Sequence, residues 1–166
     1  MNSVTFKGNA VTLAGKGLEV GDDAPQVVLK AKDLSDIIVG AQDKTQILLS
    51  VPSLDTPVCA SEARKINEKI ASYKGAEVII ISQDLPFAMG RFCSAEGING
   101  LQTASDFVNK EFGEKYGVLM TSGALKGLLA RAVFVVQNGK IAYKELVSEI
   151  TEMPNAERLD EFFKGK

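Results

Sequence analysis

The sequence predicts an α/β protein with a mixed central sheet flanked by helices and an N-terminal β-hairpin. Three observations carry this. Gln46–Val51, Glu77–Ser82 and Ala132–Val136 are nearly continuous apolar runs, the pattern of strands buried on both faces of a sheet. A helical stretch separates the first two, the arrangement of a parallel crossover. Asn138-Gly139 follows the third run, and Lys140–Tyr143 then reads as the return strand of a hairpin, so the sheet must also hold antiparallel pairs.

The elements follow in chain order. Val4–Lys7 and Val11–Leu13 alternate apolar and polar residues around Gly8-Asn9, which predicts a hairpin. Gly21–Pro25 is a turn-rich connector. Val27–Ala31 and Ser35–Val39 read as short strands. After the run at 46–51, a helix is expected from Pro57 to Tyr73. Further helices are expected over Phe87–Glu96, Phe107–Tyr116 and Asn155–Phe163, the last with Pro154 just before it. No repeat, low-complexity tract or linker divides the 166 residues. The expectation is one domain, residues 1–166, with residues 1–16 as a hairpin extension.

Composition narrows the function. Nineteen Lys+Arg stand against 21 Asp+Glu, giving a net charge of −2. There is no basic excess to neutralise phosphates, so no nucleic-acid partner is expected. No apolar run approaches the roughly 20 residues that cross a bilayer, so no membrane association is expected. The first residues lack a basic start followed by an unbroken apolar stretch, which makes the cytoplasm the expected location. There is no histidine, which excludes imidazole bases and imidazole metal ligands. There are two cysteines. In a reducing cytosol such a pair is either inert core or redox chemistry.

Cys59 lies in Val51-Pro52-Ser53-Leu54-Asp55-Thr56-Pro57-Val58-Cys59, between a buried strand and a helix. Thr56 suits the N-cap, Pro57 suits the first helical position, and Cys59 then falls at the third. There it meets the positive end of the helix dipole and free backbone N–H groups. Both favour the thiolate, which is the nucleophilic form. The alternative is a small buried hydrophobe, the common fate of a free cysteine. Thr56 has two compatible roles, capping the helix and bringing its hydroxyl near the Cys59 sulfur.

Cys93 sits on a different expected helix and by itself suggests only packing. Paired with Cys59 it suggests more. A sulfenic acid needs a second thiol to condense with before it over-oxidises. Bonding needs the Cα atoms within about 7 Å, so cysteines on separate helices imply local unwinding. Arg131 heads the third apolar run, where a charge is costly unless paired. A guanidinium near Cys59 would hold the thiolate and polarise a peroxide oxygen. The alternative is a structural ion pair with Glu62 or Asp55. Arg64 reads as solvated surface, while Arg91 is another candidate for that guanidinium and equally reads as solvated surface.

Other chemistries fail on spacing. Cys59 and Arg64 are separated by four residues, where a Cys-x5-Arg phosphatase loop needs five. No CxxC occurs, so an ordinary dithiol redox motif is absent. Gly8 to Lys16 misses the phosphate-loop spacing, and Gly17 stands where a hydroxyl is needed. Ser122 has no nucleophile elbow and no histidine partner.

At this point Pro52–Cys59 resembles the active-site segment of peroxiredoxins, and more narrowly that of the bacterial thiol peroxidase subfamily of the atypical 2-Cys kind. Ala31–Asp36, Asp84-Leu85-Pro86-Phe87-Ala88, Arg91-Phe92-Cys93, Ala95-Glu96-Gly97 and Leu125–Ala132 resemble it as well, so the likeness spans nearly the whole chain. The resemblance implies a thioredoxin-like fold. It implies a peroxidatic Cys59, with Thr56 and Arg131 positioning peroxide and thiolate, Pro52 shielding the sulfur, and the Cys59 N–H binding peroxide. It implies that Cys93 resolves within the same chain. The implied substrates are hydrogen peroxide and organic or lipid hydroperoxides, the reductant is thioredoxin, the assembly is a homodimer, and no metal or organic cofactor is expected. Glu62 is assigned to structure rather than chemistry. The rival reading is a non-catalytic module of the same fold that binds a partner or senses redox state.

Overall fold

The computed structural model describes residues 3–40, 43–69, 73 and 75–164. The order is β1 (Ser3–Phe6), β2 (Asn9–Thr12), β3 (Val27–Ala31), β4 (Asp36–Val39), β5 (Thr45–Ser50), α1 (Pro57–Lys69), β6 (Ala76–Ser82), α2 (Pro86–Glu96), β7 (Gln102–Ser105), α3 (Glu111–Lys115), β8 (Ala132–Gln137), β9 (Lys140–Leu146) and α4 (Ala156–Lys164). β1 and β2 form the expected antiparallel hairpin, with Phe6 opposite Asn9. The other seven strands form one mixed sheet in the order β4-β3-β7-β6-β5-β8-β9. β6 pairs in parallel with β5 and β7, and the remaining pairs are antiparallel.

The three apolar runs became the sheet's centre because each side chain found a core. Alternate residues face opposite ways, as the two-residue strand period demands. On one face, Ile47, Leu49, Ile80, Val133 and Val135 pack with Ile66 of α1, Met89 and Cys93 of α2, and Leu159 of α4. On the other, Leu48, Ile79, Ile81, Phe134 and Val136 pack with Val4 and Val11 of the hairpin and with Phe112 and Tyr116. Both cysteines belong to the first face.

Three expectations need amending. The helix expected over Phe107–Tyr116 shrinks to Glu111–Lys115. Lys110 takes a left-handed conformation, φ 54°, and the Asp106 carboxylate accepts the N–H groups of Phe112 and Gly113 at 2.9 Å each. A strand, β7, lies where none was expected. The helix from Pro57 is described to Lys69, and positions 70–72 of its expected course lie outside the described residues. In α4, the Asn155 side chain accepts the Arg158 N–H, a helix N-cap. No helix among the described residues is long and apolar enough to cross a membrane.

Candidate active site

β5 ends at Ser50, whose hydroxyl donates to the Ala130 carbonyl at 2.7 Å. That bond and the β5–β8 ladder bring the chain entering α1 beside the chain entering β8. Val51 extends the sheet one residue further, donating to the Ile81 carbonyl at 3.0 Å. Pro52 is buried just beyond it. The backbone then turns, and Pro57 opens α1.

Thr56 occupies the N-cap position by its backbone, since its carbonyl accepts the Ala60 N–H at 2.9 Å. Its hydroxyl does something other than the expected cap: it donates to the Ser53 carbonyl at 2.9 Å. That bond tightens the turn and fixes the oxygen's orientation. Cys59 follows in the first turn of α1, and no part of its surface is exposed. Cys59 and Cys93 are both free thiols.

Arg131 stands at the start of β8 with 2% of its surface exposed. Its Nη1 donates to Cys59 Sγ at 3.2 Å and to Glu62 Oε1 at 2.8 Å, and its Nε donates to the Ile150 carbonyl at 3.0 Å. The two placements read for Arg131 in the sequence therefore occur together. It faces the cysteine, and it is in a buried ion pair, with Glu62 rather than Asp55 among the described pairs. Glu62 lies one turn after Cys59 on the same side of α1, so one guanidinium meets both. Burial pushes the Glu62 carboxyl up to about 7, and the charge and hydrogen bond of Arg131 pull only part of the way back. Its Oε2 has no partner among the described residues.

Cys93 lies in the last turn of α2, where its carbonyl accepts N–H bonds from Gly97 and Ile98. Gly97 is left-handed, φ 66°, and ends the helix there. Between the Cys59 loop and α2 runs a groove of about 570 Å³, lined by Leu54, Asp55, Leu85, Phe87, Arg91 and Phe92 among others. Leu85 and Phe87 are exposed at its mouth. Arg64, expected as free surface, pairs with Glu96 at the end of α2. One residue of this region was missed in the sequence. Asp84 bonds into the Cys59 loop, and only the meeting of β6 with that loop could have revealed it. Glu62 was named in the sequence as a possible partner of Arg131, and its spacing from Cys59 puts both on one helical side.

The chain resembles known proteins along nearly its whole length. The chain matches the Redoxin family over residues 19–159. It is 71% identical over 165 residues to a thiol peroxidase of Campylobacter jejuni, covering 99% of this chain and 94% of that one. It is 54% identical over 155 residues to a thiol peroxidase of Aquifex aeolicus, covering 92% and 91%. Among solved structures, a peroxiredoxin-like protein from Aquifex aeolicus superposes with a TM-score of 0.95 at 50% identity, over 99% of this chain and 97% of that one. A thiol peroxidase from Chromobacterium violaceum shares the fold, with a TM-score of 0.89 at 17% identity over 98% and 95%. The thioredoxin-like fold expected from the sequence is thus the fold observed. A match that begins before β3 and ends inside α4, echoed by relatives aligned along nearly their whole length, leaves a single assignment: the chain belongs to the Redoxin family.

Proposed function

We propose that this chain is a thiol peroxidase that reduces hydrogen peroxide and organic hydroperoxides. The observation that carries the proposal is the Arg131 guanidinium, 3.2 Å from the sulfur of a cysteine in the first turn of α1. The name shared by relatives 71% and 54% identical to this chain supports it.

In the first step the Cys59 thiolate attacks the terminal peroxide oxygen. The O–O bond breaks, Cys59 becomes a sulfenic acid, and the departing alkoxide takes a proton to leave as alcohol or water. Arg131 holds the thiolate and donates to the oxygen on which charge develops. In this reading the Thr56 hydroxyl and the Cys59 N–H bind the peroxide and Pro52 shields the sulfur, the roles that the resemblance implies. In the second step the Cys93 sulfur attacks the sulfenic sulfur, an S–S bond forms and water leaves. A dithiol then reduces the disulfide. Thioredoxin is the reductant that fits the resemblance, as do a homodimer and a cytoplasmic setting in antioxidant defence. The groove beside the Cys59 loop offers Leu54, Leu85 and Phe92 to the organic part of a hydroperoxide. The chain's own residues and an external dithiol account for every step, so no cofactor or metal is invoked.

The test is mass spectrometry after one equivalent of hydroperoxide. Loss of two hydrogens with a Cys59–Cys93 crosslink is expected. Cys59→Ser should abolish peroxide consumption, and Cys93→Ser should retain one turnover and lose cycling. An unchanged mass in wild type would favour a non-catalytic module of the same fold.

A further inference from the structure

Both cysteines are buried as the chain stands: Cys59 is fully covered and Cys93 is 4% exposed. They belong to different helices, so the second step needs one or both segments to leave their packed positions. One side chain joins the two segments. Asp84 lies two residues before Pro86, which opens α2. Its Oδ1 accepts the Ser53 hydroxyl at 2.7 Å, and its Oδ2 accepts the Leu54 N–H at 2.8 Å. Both donors belong to the loop that leads into Cys59. The Ser53 oxygen in turn accepts the Asp55 N–H at 3.1 Å, which carries the constraint one residue further.

Asp84 is itself held from behind. Ser82 at the end of β6 donates its hydroxyl to Asp84 Oδ2 at 2.7 Å and accepts the Asp84 N–H at 3.1 Å. The Ser105 hydroxyl at the end of β7 donates to the Asp84 carbonyl. Asp84 is therefore fixed to two central strands, to β6 through its carboxylate and N–H and to β7 through its carbonyl, and its carboxylate reaches out to the Cys59 loop while its own chain runs straight into the Cys93 helix. The Arg64–Glu96 pair links the middle of α1 to the end of α2, but both partners are substantially exposed and contribute little.

We infer that Asp84 is a positioning residue that clamps the Cys59 loop and the start of α2 to the sheet, so that release of one clamp frees both cysteines. The inference rests on the peroxidase reading above. While the clamp is closed, Cys59 stays beside Arg131 and meets peroxide. When it opens, Cys59 loses that position and gains access to Cys93. The clamp thereby sets a competition. A sulfenate that stays packed meets a second hydroperoxide: the O–O bond breaks, one oxygen joins sulfur to give the sulfinate, and the rest leaves as alcohol. A sulfenate that is released condenses with Cys93 instead.

The test compares wild type with Asp84→Ala, Asp84→Asn, Ser53→Ala and the double variant Ser53→Ala/Asp84→Ala. Stopped-flow fluorescence and intact mass follow both steps with hydrogen peroxide. Asp84→Ala should slow oxidation of Cys59 by about tenfold, the scale of one hydrogen bond to a charged group. It should leave disulfide formation equal or faster, and raise the peroxide concentration that half-converts Cys59 to sulfinate by a similar factor. Asp84→Asn, which can keep the Leu54 N–H bond, should fall between. Ser53→Ala should shift in the same direction and add less than its own effect on top of Asp84→Ala. Equal slowing of both steps, or an unchanged sulfinate threshold, would overturn the clamp and leave the peroxidase intact.

Amide exchange of the unreacted protein separates the two readings. Asp84→Ala should speed exchange in residues 53–59 and 86–96 together, whether or not peroxide is consumed. Faster exchange in only one segment would overturn the clamp. If Asp84→Ala does not fold, Ser53→Ala decides by the same measurements.

Discussion

Arg131 holds three acceptors at once: a sulfur, a carboxylate and a backbone carbonyl. Only a planar guanidinium with several fixed N–H groups can do this. A lysine would place one ammonium where three directions are needed. Arg131→Lys should therefore lower the rate of Cys59 oxidation by about 10²–10³, the cost of losing a preorganised donor at a developing charge. Stopped-flow oxidation with hydrogen peroxide measures it, and a loss below tenfold would argue against the role. Glu62 makes a separate prediction. Its folded carboxyl binds a proton more tightly than the unfolded one, because burial raises it from 4.5 to about 7. The fold therefore enjoys this group's full contribution below the unfolded value and loses it as pH rises towards 7. Denaturant midpoints should fall across that window, and Glu62→Gln should flatten the fall relative to wild type. Of this site, Cys59 was readable from local physics as a cysteine at a helix start. Arg131 was readable as a charge where none is cheap. Glu62 was named as a possible partner of Arg131 but kept out of the chemistry, because a sequence does not show one guanidinium reaching two groups.

At the scale of elements, legibility tracked how far each segment is governed by its own residues. β5, β6 and β8 announce themselves by apolar runs, and the Asn138-Gly139 turn announces β9. β7 is Gln102-Thr103-Ala104-Ser105, small and polar, and nothing in it calls for a strand. It becomes one because β6 and β3 offer it a ladder on each side. The short α3 follows the same logic, since Asp106 ties down its N–H groups from the preceding loop rather than through a helical pattern. The hairpin's attachment was equally hidden. Glu149 accepts hydrogen bonds from the Thr5 hydroxyl, from the Lys7 and Gly8 N–H groups and from Thr151. Backbone bonds from Thr151 and Gly8, with the side-chain bonds of Thr151 and Thr5, hold its carboxyl at about 2 against an ordinary 4.5. The knot therefore stays tied above 4.5 and loosens as pH falls towards 2. Glu149→Ala should speed amide exchange in β1 and β2 at neutral pH, where the native hairpin stays protected. Thr5 also bonds through its backbone to Ser148 and Ile150, and the Ile150 carbonyl receives Arg131. Through those bonds the hairpin steadies the segment that holds the arginine.

For the molecule as a whole, stability rests on close approaches that tolerate no added atom. Gly40 follows β4 with φ 80°, and a Cβ there would lie 2.2 Å from the Pro25 carbonyl oxygen. That oxygen already accepts the Tyr116 hydroxyl at 2.7 Å. Gly40→Ala combines left-handed strain with a backbone clash and should cost at least about 2 kcal/mol. In a chain of this length that lowers Tm by roughly 4–8 °C, readable by calorimetry. The division of the sheet into two faces was foreshadowed by the double-sided apolar runs. Which helices cover which face was not, because strand order is a tertiary fact. That division has a practical consequence. Both cysteines, and the helices that carry them, lie on one face, while the hairpin, Phe112 and Tyr116 pack on the other. Whatever rearrangement the proposed disulfide demands would fall on the first face alone. A protease should then read the redox state of the chain: the oxidised protein cut near residues 53–59 or 86–97, the reduced one spared, and the hairpin side left whole in both.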